Sequence, residues 1–305
     1  MSTRTAITRA RKIMNITANA ETLHRAGQGN WEAFRSAGID LSKVMSVAES
    51  WAQHLRGVER PWLCWNVDED WCLVQQRLVA SVGWTPVVGF DPRVGAPRQV
   101  TPGAIVIDFN EGIGLPVLYP HFPLEFLFLF ADRLAFWHSD LLLRFPVMQA
   151  MAHRLAALRD GQTAATKCNP GLRHIFTLNK QRYWELIGCT TRKASRLQFE
   201  NGCGWWMAFH AHPNCPPDKQ ADRQRYYWDH GAGIYYWHKA MRGDVVVIRD
   251  KAIHDGHFTK IGKQDYRSAF ARKSPDSQRS MNQELNDNFD LANACSKMGL
   301  TSLIA

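Results

Sequence analysis

Apolar residues in the first half of the chain arrive in short unbroken runs. The first three are Trp62-Leu63-Cys64-Trp65-Asn66-Val67, Pro86-Val87-Val88-Gly89-Phe90-Asp91 and Ala104-Ile105-Val106-Ile107-Asp108. Runs of this length, apolar at successive positions and closed by a polar residue, suit strands of a parallel sheet covered on both faces. Residues 70–82 carry a helical pattern between the first two runs. Residues 122–132 read as a buried helix, and Leu134-Ala135-Phe136-Trp137 reads as a strand leading directly into His138-Ser139-Asp140. Residues 146–158 place Val147, Met148, Met151, Leu155 and Leu158 on one helical stripe, and 161–166 read as a further strand. The expected fold class is therefore α/β: a Rossmann-like, mostly parallel sheet flanked by helices, in a single large domain.

The flanking regions differ in kind. Residues 1–55 mix polar and apolar positions at helical spacing, with Trp31, Phe34, Ile39, Leu41, Val44, Val47 and Trp51 on the apolar side. From residue 169 rings crowd the chain, among them Trp184, Trp205, Trp206, Tyr226, Tyr227, Trp228, Tyr235, Tyr236 and Trp237. The organisation expected is a helical segment over 1–55, an α/β half over 56–168, an aromatic-rich half over 169–270 and a polar tail over 271–305. The most apolar window, 122–143, is broken by Glu125, Asp132, Arg133, His138 and Asp140, so it reads as core and not as a membrane span.

Composition narrows the class further. The chain has 305 residues, 45% hydrophobic and 21% charged, which describes a globular protein with a sizeable core. Seven cysteines without a framework spacing read as reduced thiols in a cytoplasmic protein. The net charge is +9. Four of those charges, Arg4, Arg9, Arg11 and Lys12, sit on the N-terminal arm ahead of Glu21, and without them about +5 remains, diluted along the chain. No dense basic stripe interleaves with aromatics, so no nucleic-acid partner is expected. Glycine-rich dinucleotide fingerprints, Walker loops, Gly-x-Ser-x-Gly elbows and His-Glu-x-x-His pairs are all missing from the sequence, which removes support for dehydrogenases, P-loop NTPases, α/β-hydrolases and zincins.

Candidate chemistry concentrates at strand ends. In open parallel sheets ligands bind outside the carboxyl ends of the strands, which nominates Asn66, Asp91, Asp108, His138 and Asp140 for one crevice. His138 and Asp140, two residues apart at a strand end, point the same way and can share one metal ion. Arg192 and Arg196, one helical turn apart, are candidates for phosphate. Gly202-Cys203-Gly204 ahead of Trp205 and Trp206 suits close approach of backbone to a ligand. Cys203, His210, His212 and Cys215 are metal-capable, but their spacing lacks the paired Cys-x2-Cys hairpin of a zinc finger.

The helix, the apolar strand 134–137 and the triplet His138-Ser139-Asp140 resemble the metal-binding Asp-x-Asp segment of GT-A glycosyltransferases, with histidine in the first place. The resemblance spans roughly residues 60–260 in element order. It implies a divalent metal, Mn²⁺ or Mg²⁺, that bridges the diphosphate of a nucleotide-sugar donor, and a carbohydrate or other hydroxyl acceptor. A late histidine completes the metal shell in that arrangement, and in Ile253-His254-Asp255-Gly256-His257-Phe258 either His257 or His254 could fill the place, His257 being preferred. For such a transferase the nucleoside contacts fall to Asn66, Asp91 and Asp108, and the acceptor surface to Trp205, Trp206 and Tyr227. A base for the acceptor hydroxyl is sought among Glu185, Thr190, Thr191, Glu200, Asp229 and His230, with Asp229 or His230 favoured and Glu200 second.

Two other readings use the same residues. His138-x-Asp140 with distal His254 and Arg267 also fits a non-haem iron, 2-oxoglutarate-dependent oxygenase, whose arginine would hold the oxoacid. That enzyme class expects many short antiparallel strands around His138 instead of strand and helix alternation. The ring-rich half could alternatively bind carbohydrate without catalysis.

Overall fold

The computed structural model describes residues 38–90, 94–113, 121–167, 181–205, 209–226, 230–258 and 291–304. Asp91, Trp206, Tyr227, Asp229, Arg267 and Cys168 lie outside these residues, as do 1–37 of the helical N-terminal segment and 271–290 of the tail.

Seven strands, β1 (Pro61–Trp65), β2 (Thr85–Phe90), β3 (Ile105–Asp108), β4 (Arg133–Trp137), β5 (Thr163–Lys167), β6 (Tyr183–Thr191) and β7 (Val245–Ile248), form one sheet in the order β3-β2-β1-β4-β6-β5-β7. All pairs are parallel except those made by β6, which runs antiparallel to both β4 and β5. The mixed α/β class with a mostly parallel sheet is thus observed. Strands from both sides of residue 168 share that sheet.

The helices are α1 (Leu41–Gln53), α2 (Glu69–Ser81), α3 (His121–Leu127), α4 (Phe145–Ala156), α5 (Arg192–Glu200), α6 (Gln220–Arg223), α7 (Ala232–Lys239), α8 (Lys251–Asp255) and α9 (Leu291–Met298). Local signals set their starts. The carboxylates of Asp40 and Asp68 accept from Lys43 N (2.7 Å) and Trp71 N (2.9 Å), capping α1 and α2, and Pro146 occupies the first turn of α4. The helix expected over 122–132 stops at Leu127, and turns then lead into β4.

The period-2 alternation of the strands divides the core between two faces. Leu63, Trp65, Val87, Ile107 and Phe136 pack with Trp51 of α1 and with Leu124 and Phe126 of α3. Trp62, Cys64, Val88, Ala135 and Trp137 pack on the other face with Trp71 and Leu78 of α2 and with Met148 and Leu155 of α4. Helices therefore cover both faces, as a parallel sheet demands. Among the described residues no helix is long and apolar enough to cross a membrane.

After β1 the chain builds β2 and β3 to one side, then returns to lay β4 on the other side of β1. The strand order reverses between β1 and β4, and in open α/β sheets the carboxyl ends of strands at such a point are where ligands bind. Asn66 follows β1 and His138 follows β4, so both stand at this point.

Candidate metal centre

The segment after β4 is held from three directions. His138 N donates to the Leu186 carbonyl of β6 (2.9 Å), so the backbone stays on the sheet one residue past the strand. Gln75 of α2, fully buried, donates from Nε2 to the carbonyls of His138 (2.9 Å) and Leu141 (2.8 Å), fixing the turn between them. On the far side Leu141 pairs with His257 in an antiparallel bridge. Phe258 N donates to the Asp140 carbonyl (3.1 Å) and Leu142 N to the Gly256 carbonyl (3.1 Å).

Gly256 permits this approach through its missing side chain. A Cβ there would lie 2.0 Å from the Leu142 carbonyl oxygen, and a backbone atom has no rotamer with which to yield.

These contacts bring His257 onto the triplet. Its Nε2 is 3.1 Å from Asp140 Oδ1, and the His257 and His138 rings meet edge to face with centroids 4.9 Å apart. His138 Nδ1 contacts the same Asp140 oxygen. One donor atom from each of His138, Asp140 and His257 lies within 4.8 Å of the others, and no other such group occurs among the described residues. Donors on opposite sides of a first-row ion stand about 4 Å apart, so small side-chain rotations would close the set around one ion. The cluster could hold a metal.

The carboxylates at the cluster create a field that favours positive charge. Burial disfavours the Asp140 carboxylate, but the facing His138 and His257 outweigh it and hold the group well below its usual range. Burial likewise pulls His138 down, and the Asp140 and Glu185 charges more than restore it, so the ring titrates above its ordinary value. An anionic oxygen flanked by two imidazoles is a donor set for a divalent ion.

His254, the alternative third ligand, is placed elsewhere. It sits on α8 with its ring against Trp184 (centroids 5.0 Å apart) and hydrogen-bonded to the Lys167 backbone. Burial lowers its pKa. Asn66 is buried; its Nδ2 donates to the Gly95 carbonyl (3.4 Å), and its Oδ1 has no partner among the described residues. Asp108 ends β3 and accepts from Asn110 N (2.8 Å).

His230 is buried beside Glu185, Nδ1 to Oε1 at 2.9 Å, and Glu185 in turn lies 3.9 Å from His138 Nε2. His230 thus belongs to the same neighbourhood as the triplet. Glu200 is exposed at the last position of α5. Arg192 pairs with Asp132 (2.6 Å) and Arg196 Nε donates to the Leu129 carbonyl (2.9 Å), which sets both at the amino end of β4, opposite the triplet. Trp205 is buried in the core, edge-on to Phe136 at 5.0 Å, with its backbone N–H donating to the Glu125 carboxylate (2.7 Å). His212 is buried and its Nδ1 accepts from Asn214 N (3.1 Å), while Cys203 and Cys215 are buried free thiols.

Gln75 is the component that sequence reasoning missed. A glutamine in an otherwise ordinary helical stretch carries no signal of the two carbonyls that it serves.

No protein-family model matches the chain, and no curated protein or solved structure matches it.

Proposed function

We propose that this chain is a metal-dependent glycosyltransferase of GT-A-like organisation, moving a sugar from a nucleotide-sugar donor to a hydroxyl acceptor. The observation that carries the reading is the approach of His257 to His138 and Asp140, with Nε2 3.1 Å from Asp140 Oδ1, at the strand end where strand order reverses. The resemblance drawn from the triplet called for a late histidine in that place. β4 and β6 are antiparallel beside His138, but β1, β2, β3 and β4 are parallel and helices cover both faces, which supports this reading over the oxygenase and its many short antiparallel strands.

In this reading His138, Asp140 and His257 hold the ion, and a bound divalent cation would neutralise charge on the diphosphate leaving group. Two imidazoles beside one carboxylate suit a transition ion such as Mn²⁺ better than Mg²⁺, which prefers oxygen donors. Asn66, with a buried acceptor oxygen to spare, is suited to an N–H of the nucleoside, and Asp108 closes β3, two strands along the same sheet edge. The six free thiols among the described residues fit a cytoplasmic location.

A thermal-shift series on metal-stripped full-length protein tests the reading. Mn²⁺ with one nucleoside diphosphate should raise the melting temperature by mass action, and Asp140→Ala should abolish the shift. Stabilisation by Fe²⁺ with 2-oxoglutarate would replace the reading with the oxygenase. Stabilisation by free sugars with no need for metal would replace it with a carbohydrate-binding module.

A further inference from the structure

We infer that Glu185, clamped between Arg182 and His230, is a positioning residue that fixes which nitrogen His138 offers to the metal. The inference rests on the metal reading of the site. An imidazole binds an ion through one ring nitrogen, and the other then carries a proton that needs an acceptor. His138 turns Nδ1 to Asp140, so Nε2 is the nitrogen left over. What Nε2 faces is Glu185 Oε1 at 3.9 Å, within ion-pair reach and longer than a hydrogen bond.

Glu185 is itself held. His230 Nδ1 stands 2.9 Å from Oε1 and Arg182 Nη1 stands 3.7 Å from Oε2, while Arg182 also donates to the His230 carbonyl at 3.5 Å. The carboxylate lies on β6 beside Leu186 and Ile187, both of which fill the apolar core. A charge at such a depth is costly unless matched, and a leucine in its place would serve packing alone. The result is a continuous line, His230, Glu185, His138, Asp140, His257, in which imidazoles alternate with carboxylates. Partners of this kind orient metal-bound histidines, and their loss weakens metal affinity by about 10–100-fold.

Full-length protein, labelled with ¹⁵N at histidine and loaded with Zn²⁺ as a diamagnetic probe, provides the test. Long-range ¹H–¹⁵N spectra should report His138 bound through Nδ1 with Nε2 protonated. Competition with a chelating dye should give a Zn²⁺ affinity that falls by about 10–100-fold in Glu185→Gln. Should Glu185→Gln fail to fold, His230→Gln, which leaves the Glu185 and Arg182 charges in place, should lower the affinity in the same direction by a smaller factor. His138 bound through Nε2, or variant affinities equal to that of the parent, would overturn the positioning role while leaving the metal site intact. A parent protein that binds no Zn²⁺ and no Mn²⁺ would overturn both.

Discussion

Replacing Glu125 by glutamine should change how stability depends on pH, and the size of the change follows from the surroundings of the carboxyl. Glu125 is wholly buried beneath the 203–205 turn, where its one described hydrogen bond is from Trp205 N (2.7 Å). Burial raises its pKa from 4.5 to about 8, against the lowering effect of that single bond. Between these values the folded chain keeps a proton that the unfolded chain releases, so this group's contribution to stability falls as pH rises from 4.5 towards 8. Each unit costs about 1.4 kcal/mol, which gives an order of 3 kcal/mol by pH 7. Glutamine keeps an acceptor for Trp205 N and carries no charge. Buried histidines such as His212, held neutral by burial, gain stability over part of the same range, so the quantity to follow is the difference between variant and parent. Urea unfolding at pH 5, 6, 7 and 8 should show Glu125→Gln gaining on the parent by roughly 1 kcal/mol per unit. A difference that stays flat over that range would refute the placement of an ionisable group in a dry pocket.

Three further outcomes are expected. Gly256→Ala puts a methyl group 2.0 Å from the Leu142 carbonyl oxygen; the strained approach should cost about 1–3 kcal/mol, lower the melting temperature by several degrees and weaken Mn²⁺ binding by moving His257, and a variant that melts and binds like the parent would contradict it. Gln75→Leu leaves the His138 and Leu141 carbonyls without their buried donor, so urea denaturation should register a loss of about 3 kcal/mol, and a loss below about 1 kcal/mol would mean that water or another group replaces the amide. Arg192→Ser removes only an exposed pair with Asp132, so stability should change by under about 1 kcal/mol and the Mn²⁺-dependent thermal shift should be unaltered, whereas loss of the shift would mean that nucleotide binding reaches the amino end of β4.

The elements that hydrophobicity alone specifies were readable in the chain. β1, β2, β3 and β4 are apolar runs, and α2 and α4 carry clear helical stripes between or after them. β6 escaped that reading. Residues 183–191 carry Tyr183, Trp184, Leu186, Ile187 and Cys189, but Glu185 interrupts the run and the segment falls in the ring-crowded stretch; the strand lies inside the sheet between β4 and β5. Its polar atoms are satisfied internally: Thr190 Oγ1 meets Thr163 Oγ1 at 2.7 Å, Thr191 Oγ1 donates to the Gln162 carbonyl at 3.1 Å, and Glu185 meets His230. Periodicity registers whether a residue is apolar, whereas burial of the polar residues within a strand depends on partners far away in sequence.

The same distinction explains the choice between His254 and His257, which spacing left open. The two are three residues apart, a separation at which a continuing helix would point them towards one face. Here α8 ends at Asp255, and Gly256 lets the chain leave the helix by packing directly on the Leu142 carbonyl. His254 therefore remains on the helix against Trp184, while His257 enters the bridge to Leu141 and reaches Asp140. One absent methyl group thus decides which imidazole faces the carboxylate. The candidate metal centre depends as much on Gly256 and Gln75, which position the backbone, as on the three side chains that would bind the ion.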